Sequence, residues 1–359
     1  QALAAIDRAR AVGRPDLAFE FSRMLGWQWA MNNRADEGQA LLLHNEAWIE
    51  AEGNLTERAE YRLARSSIFA YGDRLPEAIA EVSQALGAFT EGQDWPNALP
   101  AMSNLGVMHY WRGEYPQAHA VLSQARALRQ RLYGGSGSGI KIDIHLGAVL
   151  YELGQADEAA DLLQGALAEM HTWPDNEYRR TECLLAHNHL AQMWIALGQA
   201  DAAASALAHD ATGVAERFYG RRLTLRLRWQ RVFAPASLHA APNRALHDEL
   251  QAVAGRVASP FNSALMRLEL ARHAGPADTL AICLPLHDSA VAVQRPGLQL
   301  HAATLMAQAA LRTGDQARAR QWAVAARALQ ARCAPFDMPA QEVATMLAAV
   351  AAMASSSAH

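Results

Sequence analysis

A run of glycines and serines, "RLYGGSGSGIKID" at residues 131–143, is the stretch that most suggests chemistry. Glycine-rich loops that lead into a lysine can hold phosphate groups. Here Ile140 separates Gly139 from Lys141, and no serine or threonine follows the lysine, so the spacing of a phosphate-binding loop is broken. We therefore interpret the run as a turn between two helices.

Histidines are the next residues with chemical potential, and the sequence has 14 of them. His187 and His189 are two residues apart, so on a helix they point to different sides. Pro285 separates Cys283 from His287. Zinc sites need three or four convergent ligands, so neither pair predicts a metal site.

The three cysteines are odd in number and far apart: Cys183, Cys283 and Cys333. This spacing favours neither a disulfide framework nor a four-thiolate zinc site, and it is typical of a reducing cytoplasm. The sequence also lacks a nucleophile elbow, an HExxH motif and paired carboxylates in a catalytic context. We expect no catalytic residue, no metal and no cofactor.

The segment "RRLTLRLRWQR" at residues 221–231 carries five arginines. We expect a solvated helix face whose arginine stems cover apolar surface. Contact with phosphates or with an acidic partner is the alternative. The alternation of leucines also fits a strand, but the surrounding helical patterns favour a helix.

Composition and charge exclude several partner classes. The net charge is −4 over 359 residues, so no strong field favours nucleic acid or an anionic membrane surface. No apolar run reaches the roughly 18 to 20 residues needed to cross a bilayer. The first residue is Gln1, inside a helical pattern, and we expect the natural polypeptide to extend upstream.

An internal repeat organises the chain. The segments "NLGVMHYWRGEYPQAHAVLSQARAL" (104–128) and "HLGAVLYELGQADEAADLLQGALAE" (145–169) align without a gap at an offset of 41 residues. One small residue recurs in equivalent positions: Gly38, Ala78, Ala118, Ala159, Ala203 and Ala319. Small residues let two antiparallel helices approach closely. The period crosses the glycine run undisturbed, which favours a turn over a domain boundary there.

Glycine followed by an acidic residue or glutamine marks the end of the first helix in several repeats, at Gly72, Gly113, Gly154, Gly198 and Gly314. Glycine supplies the left-handed residue that ends many helices. One helix pair cannot bury its apolar stripe alone, so neighbouring pairs must stack.

The repeat resembles the tetratricopeptide (TPR) repeat. The Leu-Gly pair with a following aromatic residue occurs at Leu25-Gly26-Trp29, and Leu-Gly recurs at Leu105-Gly106 and Leu146-Gly147. The period near 40 exceeds the usual 34 residues of that family. Longer helices of this kind are similar to the C-terminal TPR-like sensor region of large bacterial transcriptional activators of the LuxR/MalT or antibiotic-regulator type.

We therefore predict an all-α fold: a right-handed α-solenoid of about eight TPR-like helix-turn-helix units. A single domain is expected over residues 1–359. Its parts are the end of an incomplete repeat (1–12), well-matched repeats (15–210), degenerate repeats (211–296), the last repeat (297–333) and a capping helix (338–354).

The resemblance also implies a binding surface, because the first helix of each TPR pair lines a concave groove. The implied positions are Arg23, Trp27, Ser67, Tyr71, Ser103, Tyr110, Trp111, Tyr151, Asn188 and Gln192. An aromatic and amide lining suits a peptide, a protein segment or a small signal molecule. Alternatively, several of these rings pack between neighbouring helices.

The leading hypothesis is a non-catalytic, cytoplasmic binding scaffold, the sensor or interaction region of a bacterial transcriptional regulator. It predicts no direct contact of this region with nucleic acid or membrane. One alternative is an assembly scaffold that self-associates through its end units, with the apolar terminal helix either capping the array or docking a partner. The other is an accessory domain of an enzyme whose active site lies upstream.

Overall fold

The computed structural model describes residues 2–134, 139–209, 212–233, 241–257, 260–292, 295–330 and 340–356. These ranges form nineteen α-helices and contain no β-strand. The predicted all-α class is confirmed. The centre of the glycine and serine run (135–138) and Cys333 lie outside the described residues.

The helices fall into two compact units. Unit 1 has the main segments Gln1–Tyr110 and Tyr115–Val149, and unit 2 has the main segments Leu150–Val257 and Phe261–His359, together with the turn Trp111–Glu114. The helices that begin in unit 1 are α1 (Ala2–Ala11), α2 (Pro15–Met31), α3 (Ala35–Leu43), α4 (Glu46–Ala51), α5 (Leu55–Tyr71), α6 (Leu75–Glu91), α7 (Trp95–Trp111), α8 (Tyr115–Tyr133) and α9 (Ile140–Glu152).

The remaining helices lie along unit 2. They are α10 (Ala156–His171), α11 (Glu177–Ala196), α12 (Ala200–Ala208), α13 (Glu216–Phe233), α14 (Ala241–Arg256), α15 (Pro260–His273), α16 (Pro276–Ala292), α17 (Pro296–Thr313), α18 (Gln316–Gln330) and α19 (Ala340–Ser356).

Eight consecutive helix pairs run along the described chain, in agreement with the predicted TPR-like units: α2/α3, α5/α6, α7/α8, α9/α10, α11/α12, α13/α14, α15/α16 and α17/α18. The degenerate region 211–296 thus also consists of helix pairs. The short α4 is an addition that the repeat did not predict. After it, Asn54 begins α5 with a capping box, in which the Glu57 amide donates to Asn54 Oδ1 at 2.9 Å.

A recurrent turn ends the first helix of several pairs. At Gly154 φ is +83°, and the Gln155 amide donates to the Leu150 carbonyl at 2.9 Å, as in a Schellman motif. Left-handed glycines also occur, as predicted, at Gly113, Gly198 and Gly314. Gly72 departs from the prediction, because its φ is −87° and Asp73, at φ 61°, takes the left-handed conformation instead.

Small residues stand where paired helices touch. Between α2 and α3, a Cβ added to Gly26 would lie 3.0 Å from the Gly38 carbonyl oxygen, and one added to Gly38 would overlap the Gly26 carbonyl. Between α7 and α8, a Cβ on Gly106 would lie 2.5 Å from Leu122 Cγ. The alanines equivalent to Gly38 are at most 1% exposed: Ala78, Ala118, Ala159, Ala203 and Ala319. Larger side chains would force these helices apart.

The arginine-rich helix α13 is buried rather than solvated. Arg222 and Arg228 are 0% and 3% exposed, so the expected solvated face is wrong, whereas the expected helix is confirmed. Arg222 donates to the Ala206 carbonyl, and Arg226 donates to the Leu207 carbonyl at 3.3 Å. These carbonyls belong to the last turn of α12, where cations are favoured. Burial lowers the pKa of Arg222 to about 10.

A buried ionic cluster joins α13 to α15. Arg228 Nη2 lies 3.2 Å from Glu269 Oε2, and Arg272 Nε lies 3.4 Å from the same oxygen. His273 Nε2 lies 3.8 Å from the other carboxylate oxygen. Burial alone would raise the pKa of Glu269, but Arg228, His273 and Arg272 together hold it well below its ordinary value. Glu269 is therefore ionised at neutral pH.

The terminal helix α19 is covered along its apolar stripe. Val343, Met346 and Val350 join one cluster with alanines of α17 and α18, such as Ala307 and Ala326. Burial of this stripe within the chain is the arrangement expected of a capping helix.

The close contact of α2 and α3 predicts opposite effects for two glycine substitutions. Gly38→Ala should lower the free energy of unfolding by about 1 to 3 kcal/mol, because the added methyl meets backbone that cannot move aside. Gly87→Ala, at an exposed helical position with nothing within 4 Å, should raise it by about 0.5 to 1 kcal/mol. Urea denaturation measures both, and equal effects would contradict the packing described.

The ionic cluster predicts a strong effect of neutralising Glu269. Glu269→Gln should lower the free energy of unfolding at pH 7 by about 3 to 5 kcal/mol, because Arg228 loses its buried countercharge. The difference in free energy of unfolding between the wild type and the variant should be at its full value above pH about 4.3, the ordinary glutamate pKa. It should decline below that pH until the lower pKa of Glu269 in the folded state is passed.

A matched control for that variant is Glu216→Gln. Glu216 pairs with Arg256 at 2.6 Å, but both side chains are more than 40% exposed. Its loss should cost less than about 1 kcal/mol. Similar costs for the two variants would show that the Glu269 cluster is not buried as described.

Candidate functional site

The first helices of the pairs in unit 1 lie side by side. Helix α2 packs against α5. The Asn104 amide of α7 donates to the Ser67 hydroxyl of α5 at 3.1 Å. Helix α9 is held to α8 by Asp143, which pairs with Arg126 at 2.9 Å and with Arg129 at 2.5 Å. Along the chain the first helices of unit 1 follow in the order α2, α5, α7 and α9.

The side chain of Lys141, on α9, reaches that of Trp27, on α2. Lys141 Nζ lies 5.5 Å from the centre of the Trp27 ring, which is a cation–π contact, and both residues are half-buried. Because α5 and α7 come between α2 and α9 in the order, this contact requires the surface formed by the four helices to curve inward. We call this surface, with Arg23, Trp27, Glu60, Ser67, Asn104 and Lys141, the inner face of unit 1.

Charged groups of α2 and α5 border the inner face. Arg23 Nη2 lies 2.7 Å from Glu20 Oε1 on α2. Burial raises the pKa of Glu60 on α5, Arg23 opposes this shift, and the carboxylates of Glu20 and Asp94 add to it. The inner face thus has a charged border beside its aromatic and amide groups.

Three of the predicted site residues, Arg23, Trp27 and Ser67, lie on the inner face. Tyr71 is half-buried and packs beside the apolar cluster of α2, α3 and α5. Two others are buried: Ser103 is 8% exposed and Tyr110 is 3% exposed. The Tyr110 ring centre lies 5.9 Å from that of Tyr115, so this ring packs between α7 and α8.

The other four predicted residues belong to unit 2. Trp111 and Tyr151 are half-buried, in the last turns of α7 and α9. Asn188 and Gln192 of α11 are 2% and 8% exposed. They contact α13, since Asn188 Nδ2 donates to the Phe218 carbonyl at 3.5 Å and Arg221 donates to Gln192 Oε1 at 2.7 Å. A role for these ten residues in binding stays a prediction.

Sequence reasoning missed three residues of the inner face: Glu60, Asn104 and Lys141. Asn104 directly follows the predicted Ser103 in the sequence. Consecutive residues of a helix point about 100° apart, so an error of one residue in the predicted position selects the buried Ser103 instead of Asn104. Lys141 is the only lysine of the chain. It was considered only as a phosphate ligand, and its contact with a tryptophan far away in the sequence left no local signal.

Some histidines and both described cysteines pack against other side chains. The His187 ring stacks on that of His209 at 4.2 Å, and burial lowers the pKa of His187 and of His189 to about 3. Cys183 and Cys283 are free thiols and are buried. Within the described ranges, no three histidine, cysteine, aspartate or glutamate side chains converge as metal ligands.

None of the described helices is both long enough and apolar enough to cross a lipid bilayer.

Comparisons with known proteins agree with the repeat. A family model described as tetratricopeptide repeat matches residues 97–168, from α7 to α10. No curated protein matches the sequence. Among solved structures, the apo form of the quorum sensor NprR from B. thuringiensis is similar in fold, with a TM-score of 0.57, 11% sequence identity and coverage of 88% of each chain. The chain therefore contains a TPR-type helical repeat.

Proposed function

We propose that this chain is a non-catalytic sensor scaffold that binds a peptide or protein segment on the inner face of unit 1. The observation that carries the proposal is the contact of Lys141 with Trp27, because it makes this face concave. A concave face encloses more of a ligand than a flat one, and binding sites in proteins are generally concave.

The chemistry of the inner face suits an extended peptide. Ser67 and Asn104 bond to each other at 3.1 Å and are half-buried, so both remain within reach of a ligand. A peptide backbone offers amide donors and carbonyl acceptors to such groups. Trp27 supplies rigid aromatic area, and Lys141 supplies a charge on a flexible stem that can turn toward a ligand's carbonyl or carboxylate.

We further propose that the chain is the signal-sensing region of a larger bacterial regulator in the cytoplasm. The similarity in fold to the quorum sensor NprR supports a sensing role. The resemblance of the repeat to TPR-like regions of transcriptional activators supports a regulatory one. Two free thiols, Cys183 and Cys283, suit a reducing compartment.

Selection from a random heptapeptide library displayed on phage tests the binding proposal. We expect peptides that bind the wild-type protein saturably in fluorescence anisotropy titrations. Trp27→Ala should weaken their binding at least about tenfold, because truncating a central aromatic residue of an interface often costs about 2 kcal/mol. Lys141→Met, which removes the charge but keeps an aliphatic stem, should also weaken it.

The control is Tyr133→Ala, which removes an aromatic ring that is 41% exposed at the end of a second helix, α8. Its peptide affinity should equal that of the wild type. Failure to enrich any peptide, or equal affinities of all variants with folding verified by circular dichroism, would overturn the proposal.

A further inference from the structure

A second concave site lies within unit 2. A cavity of about 390 Å³ opens between α13, α15, α17 and α19. Its polar lining includes Arg231, Arg272, Arg312 and Glu342, and its apolar lining includes Leu305, Leu311 and Met346. Its volume is in the range of pockets that hold small molecules.

The charges of the cavity wall do not balance. Glu342 pairs with Arg272 and lies 3.5 Å from Arg231 Nη1. Arg312 has no carboxylate partner in the described chain; it donates to the Thr279 hydroxyl at 3.3 Å and to the Ala274 carbonyl at 3.5 Å. The cavity wall thus carries three arginines but only one glutamate, which pairs with two of them.

The groups behind the wall do not supply the missing negative charge. Glu269 is 0% exposed and already forms ion pairs with Arg228 and Arg272. Arg272 donates to His301 Nε2 at 2.6 Å, and since an arginine only donates, that nitrogen accepts and carries no proton. Burial, with Arg272 beside it, keeps the pKa of His301 well below its ordinary value, so the ring is neutral.

One wall arginine keeps an unused hydrogen-bond donor. Arg231 Nε is buried and makes no hydrogen bond within the described chain. Arg272, 4% exposed at its side chain, directs its Nε toward Glu269 at 3.4 Å. Burial lowers the pKa of Arg231. Excess positive charge beside an apolar wall and an unmet buried donor are both costly, and an anion in the cavity would satisfy both.

We propose that this cavity binds a small organic acid: a carboxylate held by Arg231, Arg272 and Arg312, on an apolar body packed against Leu305, Leu311 and Met346. Planar guanidinium groups match a carboxylate in two-point hydrogen bonds. The apolar wall excludes a bare inorganic ion as the best occupant, because an ion would leave these side chains against water.

Isothermal titration calorimetry with octanoate as the probe tests the proposal. Octanoate should bind saturably at one site per chain. Octanol, which keeps the apolar body but lacks the charge, and inorganic phosphate, which lacks the apolar body, should each bind at least about tenfold more weakly, a difference of about 1.4 kcal/mol.

Three variants assign the site. Arg231→Gln and Arg312→Gln should each weaken octanoate binding at least about tenfold. Arg318→Gln, whose side chain is 63% exposed on α18 and pairs with Asp315, should leave it unchanged. Arg312 is exposed, so its variant decides the matter if Arg231→Gln fails to fold.

Absence of saturable octanoate binding would overturn the proposal. So would equal binding of octanoate and octanol, or an octanoate affinity of Arg312→Gln that matches the wild type. Tighter binding of phosphate than of octanoate would replace the organic acid with an inorganic anion and would also overturn it. Peptide binding by unit 1 is measured separately, so the proposals of peptide binding and of organic-acid binding are tested independently.

Discussion

Backbone contact between paired helices is the constraint on which the rest of the structure depends. At Gly26 and Gly38 the backbones of α2 and α3 touch, and the space leaves no room for a methyl group. Equivalent alanines in later pairs are fully buried. Close pairing lets each helix pair present its apolar stripe to the next, so neighbouring pairs stack and their first helices align. In unit 1 this alignment brings Trp27 to Lys141 and makes the inner face concave.

Much of this architecture is readable from the sequence, because its signals are local and repeated. A small residue recurs about every forty positions, and glycine marks the turn, so eight helix pairs are predicted, and four of the five predicted glycines take the left-handed conformation. Even there, neighbours decide details: Asp73 rather than Gly72 takes the left-handed conformation. The extra helix α4 interrupts the pattern and leaves no signal in the repeat.

The functional surfaces are less readable, because they depend on helix rotation and on contacts between distant segments. The repeat identifies α7 as a first helix but does not determine whether Ser103 or Asn104 faces inward. The arginines of α13 show a second limit. Their composition is typical of a solvated face, whereas they bond to carbonyls of α12 and to Glu269, which lie elsewhere in the chain.

The two units consequently offer different chemistry. The inner face of unit 1 combines an aromatic ring, amide and hydroxyl groups, a single lysine and a border with Arg23 and Glu60, which suits a peptide backbone. The cavity of unit 2 is lined by arginines in excess over carboxylates, with an apolar wall, which suits an organic anion. One repeat architecture thus presents two kinds of surface, because the residues on its first helices differ while the small residues between paired helices stay the same.

The most direct test of the concave inner face uses the only lysine of the chain. Reductive ¹³C-methylation gives one dimethyl-lysine signal in the NMR spectrum, apart from that of the terminal amine. With Lys141 over the Trp27 ring, this signal should be shifted upfield by the ring current, and Trp27→Leu should return it to the position of a free dimethyl-lysine. A signal that is unshifted in the wild type, or unchanged in the variant, would contradict the concave face and the stacking that produces it.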